Sequence, residues 1–315
     1  MSELPNFDNI LSAYSRIKNQ VKRTPILSSM SVNEILNCNV FFKCENFQKV
    51  GAFKFRGASN AVLSLDNSKI RNGVATHSSG NHAQALALAA SMQGIPAYIV
   101  MPNNSPKVKS DAVASYGGKI IYCEPTLQAR ELTLENIVQQ TDAFFVHPYN
   151  NFYVICGQGT AALELLEETS DLDIVMTPVG GGGLLSGTSI TVKAKSPNTL
   201  VIAGEPSGAD DAFRSFYTGQ LIPSVNPKTI ADGLLTSLGS MTFQIITQNV
   251  DRIFTVSEDS IINAMRIIWE RMKIIIEPSS AVPVAAIMEN VDFFRNKRIG
   301  VILSGGNVDL GKLPF

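Results

Sequence analysis

Lys54 stands between Phe53 and Phe55 in the run KVGAFKFRGASNAV, residues 49–62, with Gly51 and Gly57 on either side and Arg56 two residues on. A surface ammonium needs no aromatic collar. Desolvation disfavours the charged form of an amine, so a lysine enclosed in this way loses its proton closer to neutrality. The neutral amine is a nucleophile that can form a Schiff base with a carbonyl. The competing reading puts Phe53 and Phe55 on a core face and Lys54 in water, as simple strand alternation would.

Three glycine-bearing segments favour the chemical reading. In TPVGGGGLLSG, Gly180, Gly181, Gly182 and Gly183 follow an apolar strand and open a helical stretch ending near Lys195. Without Cβ atoms, successive N–H groups can converge on an anion at a helix N-terminus. The pattern is neither GxGxxG nor GxxxxGK[ST], which favours a small phosphorylated cofactor over a dinucleotide or nucleoside triphosphate. In THSSGNHAQALALAA, Ser78, Ser79, Gly80 and Asn81 precede an alanine-rich helix and offer donors for a carboxylate, or else serve only as an ordinary helix cap. In VILSGGNVDL a buried-type strand ends at Ser304, Gly305, Gly306 and Asn307. Ligands of open α/β sheets lie outside the carboxyl ends of the strands, so the three loops are expected to share one crevice. Pyridoxal phosphate then supplies the aldehyde for Lys54 and the anion for the glycines.

These groups need elements to carry them. The spacing predicts strands over Val40–Lys43, Gly73–His77, Ala97–Met101, Lys119–Tyr122, Ala143–Val146, Ile174–Pro178, Leu200–Gly204 and Gly300–Leu303. Helices are expected over Asn81–Gln93, Lys107–Tyr116, Leu127–Gln140, Thr160–Glu168 and Ser257–Lys273. Ser105 followed by Pro106 reads as an N-cap with proline at the first helical position. The alternation indicates α/β architecture with mostly parallel sheets. A chain of 315 residues exceeds the usual single-core size. Residues 74–147 form a complete small parallel unit, expected as a domain inserted into a larger one built from 1–73 and 148–315.

Composition removes other classes. Hydrophobic residues make up 45% and charged residues 17%, with a formal net charge of −1, so nothing draws the chain to nucleic acid or a membrane surface. Cys38, Cys44, Cys123 and Cys156 form no CxxC pair, against both zinc and a disulfide framework. The opening residues MSELPNFDNILSAYSRIKNQVKRTP lack a basic start followed by an apolar block, and a cytoplasmic location is expected.

GAFKFRGA, SSGNHAQA, GGGGLLSG, EPSGADD, ERMKIIIEPSSA and LSGGNVD together resemble the serine racemase and serine/threonine dehydratase family, from about Thr24 to Leu310. The resemblance implies a fold-type II pyridoxal phosphate enzyme, similar to the tryptophan synthase β subunit, with two open twisted sheets flanked by helices. It implies that Lys54 binds the cofactor covalently and Phe53 packs beside its ring. Asn81 would bond the 3′-oxygen, Gly180–Gly183 the phosphate and Ser304 the pyridine nitrogen. It also implies a substrate carboxylate held by Ser78, Ser79 and Asn81, with Arg130 approaching from the small domain. Arg130 reads equally as a solvated helix charge.

Lys54 and Ser79 would then serve as proton carriers on opposite faces of the substrate α-carbon. Simple threonine dehydratases read SAGNH where this chain reads SSGNH. That favours a serine racemase with accompanying β-elimination of serine to pyruvate and ammonia. Two positions depart from the animal racemases: Tyr149 follows the His-Pro pair in place of asparagine, and Thr236 replaces serine. Both lean towards microbial members, so a dehydratase for L-threo-3-hydroxyaspartate, serine or threonine remains open. A non-catalytic ligand-binding α/β protein is the reading from a different class. The family further implies a Mg²⁺, Ca²⁺ or Mn²⁺ site on Glu205, Ala209 and Asp211, an ATP effector site at Ser28, Ser29, Lys49, Gln84 and Tyr116, and a homodimer.

Overall fold

The computed structural model describes residues 3–66 and 70–315. Its strands are β1 (Ile26–Leu27), β2 (Asn39–Cys44), β3 (Val74–His77), β4 (Ala97–Pro102), β5 (Gly118–Cys123), β6 (Phe144–Phe145), β7 (Ile174–Pro178), β8 (Leu200–Pro206), β9 (Arg252–Val256) and β10 (Arg298–Leu303). The helices are α1 (Phe7–Ile17), α2 (Met30–Leu36), α3 (Lys54–Leu63), α4 (Asn81–Ser91), α5 (Lys107–Ser115), α6 (Leu127–Thr141), α7 (Phe152–Glu168), α8 (Gly183–Lys195), α9 (Asp211–Thr218), α10 (Ser240–Asn249), α11 (Glu258–Met272), α12 (Pro278–Glu289) and α13 (Val291–Phe294).

All eight expected strands form, within a residue or two at most ends. Two were missed because neither carries a long apolar run: β1 is two residues long, and β9, at a sheet edge, buries only Ile253 and Val256. Helix α7 starts eight residues before the expected Thr160, with Asn151 capping it through a 3.0 Å bond from Val154 N–H. Pro106 is itself the N-cap of α5, at ψ 134°, and not its first helical residue. Lys54 opens a helix, which excludes the strand-alternation reading.

Strand order in the larger sheet is β1-β2-β10-β7-β8-β9, with only β1 antiparallel. The smaller sheet, β5-β4-β3-β6, is wholly parallel. Both follow one winding rule. From β7 the chain steps outward to β8 and β9, then returns on the other side as β10. From β3 it steps to β4 and β5, then returns as β6. Each sheet therefore has one place where successive crossovers diverge, β7/β10 and β3/β6, and such switch points open a crevice at the strand C-termini.

Helix α3 joins the sheets. Its buried face, Phe55, Ala58, Ala61 and Val62, packs into the core of the smaller sheet. Arg56 on the same helix is fully buried. Its Nε and Nη2 donate to Glu45 at 2.8 Å, its Nη1 to Glu164 Oε1 at 2.8 Å and its Nη2 to Glu164 Oε2 at 2.7 Å. Lys43 completes the cluster, 2.7 Å from Glu164. Two cations and two carboxylates thus neutralise one another out of water, tying the start of α3 to β2 and α7. Burial alone would raise the Glu164 carboxyl, but Arg56 and Lys43 outweigh it and hold Glu164 below its ordinary value.

Removing one charge from a buried cluster costs roughly 3–5 kcal/mol, because the remaining partners stay desolvated. Glu164→Leu is expected to lower the urea unfolding midpoint by that equivalent. A depressed carboxyl stabilises the fold above its unfolded pKa and loses that effect as pH falls through the folded one. The parent protein's advantage over the variant should therefore persist down to the ordinary carboxylate range near 4.5 and fade only below it. Unfolding curves measured across pH check both.

Candidate active site

The loop after β10 is tied to the residues just before Lys54. Phe53 N–H donates to Ser304 O at 2.9 Å, Gly306 N–H to Gly51 O at 2.9 Å, and Ala52 bridges Gly305. The sequence separates Lys54 from Ser304 by 250 residues, and this short antiparallel patch brings them side by side. Lys54 Nζ lies 5.1 Å from the Phe53 ring centre and donates to Pro148 O at 3.0 Å. Burial pushes the ammonium down to about 8, with the charge of Glu277 acting in the opposite direction. The collar read from the sequence is real, though only Phe53 faces the amine; Phe55 points into the core of the smaller sheet.

Pro148 belongs to the β6 side of the small-sheet switch point. His147 Nδ1 accepts from Tyr149 N–H at 3.3 Å and Asn150 N–H at 3.0 Å, which fixes the turn presenting that carbonyl. All three histidines of the chain crowd here. Burial foremost, with the charges of Lys54 and the other imidazoles, holds His82 well below its ordinary value and His147 down at about 4. They are neutral scaffold groups. His82 Nε2 pairs with Val146 O at 3.2 Å.

On the β3 side, the N-cap of α4 is Gly80, and no side chain caps the helix. The ordinary-cap reading of this loop is excluded: neither serine nor Asn81 caps the helix. An uncapped first turn leaves N–H donors free for an anion. Ser78 Oγ bonds Gly80 N–H at 3.4 Å, whereas the half-buried Ser79 hydroxyl bonds no described residue. Arg130 on α6 has a buried Nε without a hydrogen-bond partner among the described residues. It also lies close enough to His77 to depress that imidazole, second to burial. A buried guanidinium donor without a partner among the described residues is at odds with a fully solvated helix charge.

The tetraglycine follows β7, beside Ser304 at the end of β10. Gly182 is the N-cap of α8 at φ 85°, a left-handed conformation that favours glycine. A Cβ on Gly181 would fall 2.3 Å from the Tyr149 ring, and one on Gly180 2.9 Å from Leu234 Cα. Gly183 is equally tight against Tyr149 Cβ, at 3.0 Å. The loop's close packing requires glycine, and its helix start presents unpaired N–H groups. Together with a desolvated amine, it fits a phosphate-bearing aldehyde.

Several residues of the site were missed. Ser280 Oγ lies 3.1 Å from Ser304 Oγ and accepts from Gly305 N–H at 2.8 Å, fixing the hydroxyl assigned to the pyridine nitrogen. Glu277 is 4% exposed, its two oxygens accepting from Asn81 Nδ2 at 3.1 and 3.0 Å. It occupies the N-cap of α12 without capping it. The acid in IIIEPSSA, between an apolar run and a proline, was the available signal; it read as an ordinary helix start.

The remaining candidates lie elsewhere. Glu205 is fully buried and accepts from Ala212 N–H at 2.9 Å and Phe213 N–H at 2.7 Å; burial pushes it up to about 9. Asp211 is 1% exposed with both oxygens lacking a well-formed hydrogen bond, and burial pushes it to about 6. Two desolvated carboxylates beside the buried Ala209 suit a hard cation. Among the described residues, no group of three or more His, Cys, Asp or Glu could hold a metal, so a third ligand would have to be a carbonyl such as that of Ala209. Ser29 caps α2, Ser28 is exposed, Lys49 Nζ lies 5.4 Å over Phe55, Gln84 is buried on α4 and Tyr116 ends α5. No hydrogen bond or ion pair among the described residues joins Ser28 or Ser29 to the other three.

A glycine cradle and an adjacent desolvated lysine, at the switch points of two parallel sheets, define a site for pyridoxal phosphate. Residues 17–305 match the family model described as "Pyridoxal-phosphate dependent enzyme". The chain belongs to that family. It is 50% identical over 312 residues to a beta-hydroxyaspartate dehydratase of Paracoccus denitrificans, covering 99% of each chain. It is 49% identical to a serine racemase of Dictyostelium discoideum, covering 97% of this chain and 95% of the relative. The solved structure of maize serine racemase superposes with a TM-score of 0.96 at 43% identity, covering 98% of this chain and 95% of that one. The fold is the fold-type II arrangement, and the chain is an enzyme.

Gly181→Ala tests the cradle. The added methyl displaces the Tyr149 ring, and loss of charge-assisted N–H contacts is expected to weaken cofactor binding roughly tenfold or more. Fluorescence titration with pyridoxal phosphate reads this directly; parent-like affinity would refute the assignment.

Proposed function

We propose that this enzyme interconverts L- and D-serine and also β-eliminates water from serine, the resulting enamine tautomerising to an imine that water hydrolyses to pyruvate and ammonia. The observation that carries the reading is Ser79, a hydroxyl without a hydrogen-bond partner among the described residues at the uncapped start of α4, in the loop that places Asn81 against Glu277 and hence near Lys54. Close similarity to serine racemases supports it.

Gly180–Gly183 would hold the cofactor's phosphate, Ser304 its ring nitrogen, Asn81 its 3′-oxygen and Phe53 its flank. When bound, the cofactor withdraws electrons from the substrate α-carbon and makes its proton acidic. A hydroxyl partner such as Ser304 leaves the ring nitrogen largely unprotonated, which moderates that withdrawal. Ser78, Ser79, Asn81 and the first turn of α4 orient the substrate carboxylate, with Arg130 closing over it. Lys54, with a pKa near 8, carries a proton to or from one face of the α-carbon. Ser79 serves the other. Elimination needs only the first of these carriers, so one site supports both outcomes. Residues 74–147 act as a small closing domain against 1–73 and 148–315.

Dehydration of 3-hydroxyaspartate is the second reading, supported by the Paracoccus relative and by one contact. Thr236 lies near enough to the Tyr149 hydroxyl to influence its ionisation, so the two positions that depart from animal racemases sit together, with Tyr149 against the tetraglycine. That pair offers hydroxyl groups, and no cation, to a second carboxylate. Mg²⁺, Ca²⁺ or Mn²⁺ at Glu205, Ala209 and Asp211, ATP as effector, a homodimer and a cytoplasmic location complete the proposal. No helix among the described residues is long and apolar enough to cross a membrane.

Lys54→Ala should abolish turnover and the yellow colour of the purified enzyme. In Ser79→Ala, D-serine formation from L-serine should fall at least about a hundredfold, the usual scale for losing an acid–base group, while pyruvate release persists. Equal loss of both products, resolved by chiral chromatography and a keto-acid assay, would sink the two-carrier scheme. For the cation, millimolar Mg²⁺ should raise the thermal midpoint of the parent enzyme and leave Asp211→Asn unmoved, read by calorimetry after chelation.

A further inference from the structure

Glu277 has no chemical role in the scheme above, yet among the described residues it is the buried carboxylate whose charge reaches the reactive amine. Its side chain does not cap α12; it crosses to the smaller sheet and receives Asn81 Nδ2 on both oxygens. Asn307 N–H adds a bond at 3.3 Å, and Asn307 Nδ2 holds Asn81 Oδ1 at 2.8 Å. The Asn81 amide is therefore gripped at both ends. Gly305 makes room for this, since a Cβ there would lie 2.9 Å from Glu277 Oε1. Three separate stretches of chain, α4, the start of α12 and the loop after β10, converge on one acid.

A carboxylate kept out of water at this cost needs a reason, and the structural framework supplies none. No cation pairs with it in a salt bridge among the described residues, in contrast to Glu45 and Glu164, which are matched by Arg56 and Lys43. The charged groups facing it are Lys54 from α3, Lys109 from α5 and Asp232 from the loop before α10. The last two are paired with each other at 2.6 Å, which leaves Lys54 as the counter-charge to Glu277 that no carboxylate among the described residues already pairs.

We infer that Glu277 is a positioning residue of the site: it clamps Asn81 in the orientation the cofactor meets, and its negative charge sets how readily the Lys54 amine holds its proton. Burial pushes Glu277 itself up to about 7, so it is ionised in the same range in which Lys54 titrates. Its anion works against the desolvation of the lysine and keeps a protonated fraction near neutrality. Both proton states of the amine then stay accessible, as a group that must take up and return a proton requires. The inference rests on Lys54 as the amine that meets the cofactor, and on nothing about which amino acid is turned over.

The test follows Lys54 rather than turnover. The full-length chain, freed of cofactor, is exposed to pyridoxal phosphate across pH, reduced with borohydride, and the Lys54 peptide is quantified by mass spectrometry. Glu277→Gln keeps the shape and removes the charge, so the midpoint of labelling should move down by roughly half to one pH unit. Glu277→Asp keeps the charge and shortens the reach, so the midpoint should hold while cofactor affinity falls roughly tenfold. A Gln variant whose midpoint coincides with the parent's, or an Asp variant that shifts as far as Gln, overturns the electrostatic role. Should Glu277→Gln unfold by circular dichroism, the Asp variant carries the test: parent-like affinity there overturns the clamp. Absence of labelling in the parent chain would instead refute Lys54 as the cofactor amine, a distinguishable failure.

Discussion

A lysine amine that must bond an aldehyde and then move protons has to be dry, but not so dry that it never recovers its charge. Everything around Lys54 serves that balance. Phe53 and the Pro148 carbonyl surround the nitrogen, the histidines beside it are held neutral, and one buried carboxylate stands within range. The residues immediately before it are stitched to the end of β10, and Arg56 two positions later is locked by Glu45 and Glu164. An amine at the first residue of a helix fixed on both sides has little freedom to swing into solvent.

The two sheets solve the same problem twice. Each diverges at one point in its strand order, and each places loops of the candidate site there: the tetraglycine and Ser304 in the larger sheet, the Ser78–Asn81 loop and the His147–Tyr149 turn in the smaller. Parallel strands send their carboxyl ends to one side, so the two crevices can face one cavity. Glycine is required at this meeting by contact as much as by backbone conformation. Tyr149 from the smaller sheet's side lies where side chains at Gly181 and Gly183 would have to go.

Legibility in the sequence followed locality. Lys54, the glycine runs and the serine-bearing loop could be read because each is a short contiguous stretch whose residue types limit what it can do. The eight strands were readable because parallel strands buried on both faces become apolar runs. Glu277, Ser280 and Pro148 were not, since each acts on a partner between 24 and 196 residues away. A glutamate before a proline looks like any helix start until the fold shows where its carboxylate goes. The cap of α5 was misplaced for a related reason, and that of α4 stayed open: Pro106 and Gly80 hold roles that depend on backbone angles their neighbours impose.

The sequence by itself determined the class of chemistry, because an enclosed lysine and four consecutive glycines are local facts with few physical uses. It also determined the alternation of strand and helix, through the period of its apolar residues. Only the tertiary structure decided that the α4 start is uncapped, that Arg130 has an unpartnered buried donor, and that a lone carboxylate faces the amine. Those outcomes depend on desolvation and on which groups remain unpaired. Both are properties of the whole packed molecule, and no single stretch of chain encodes them.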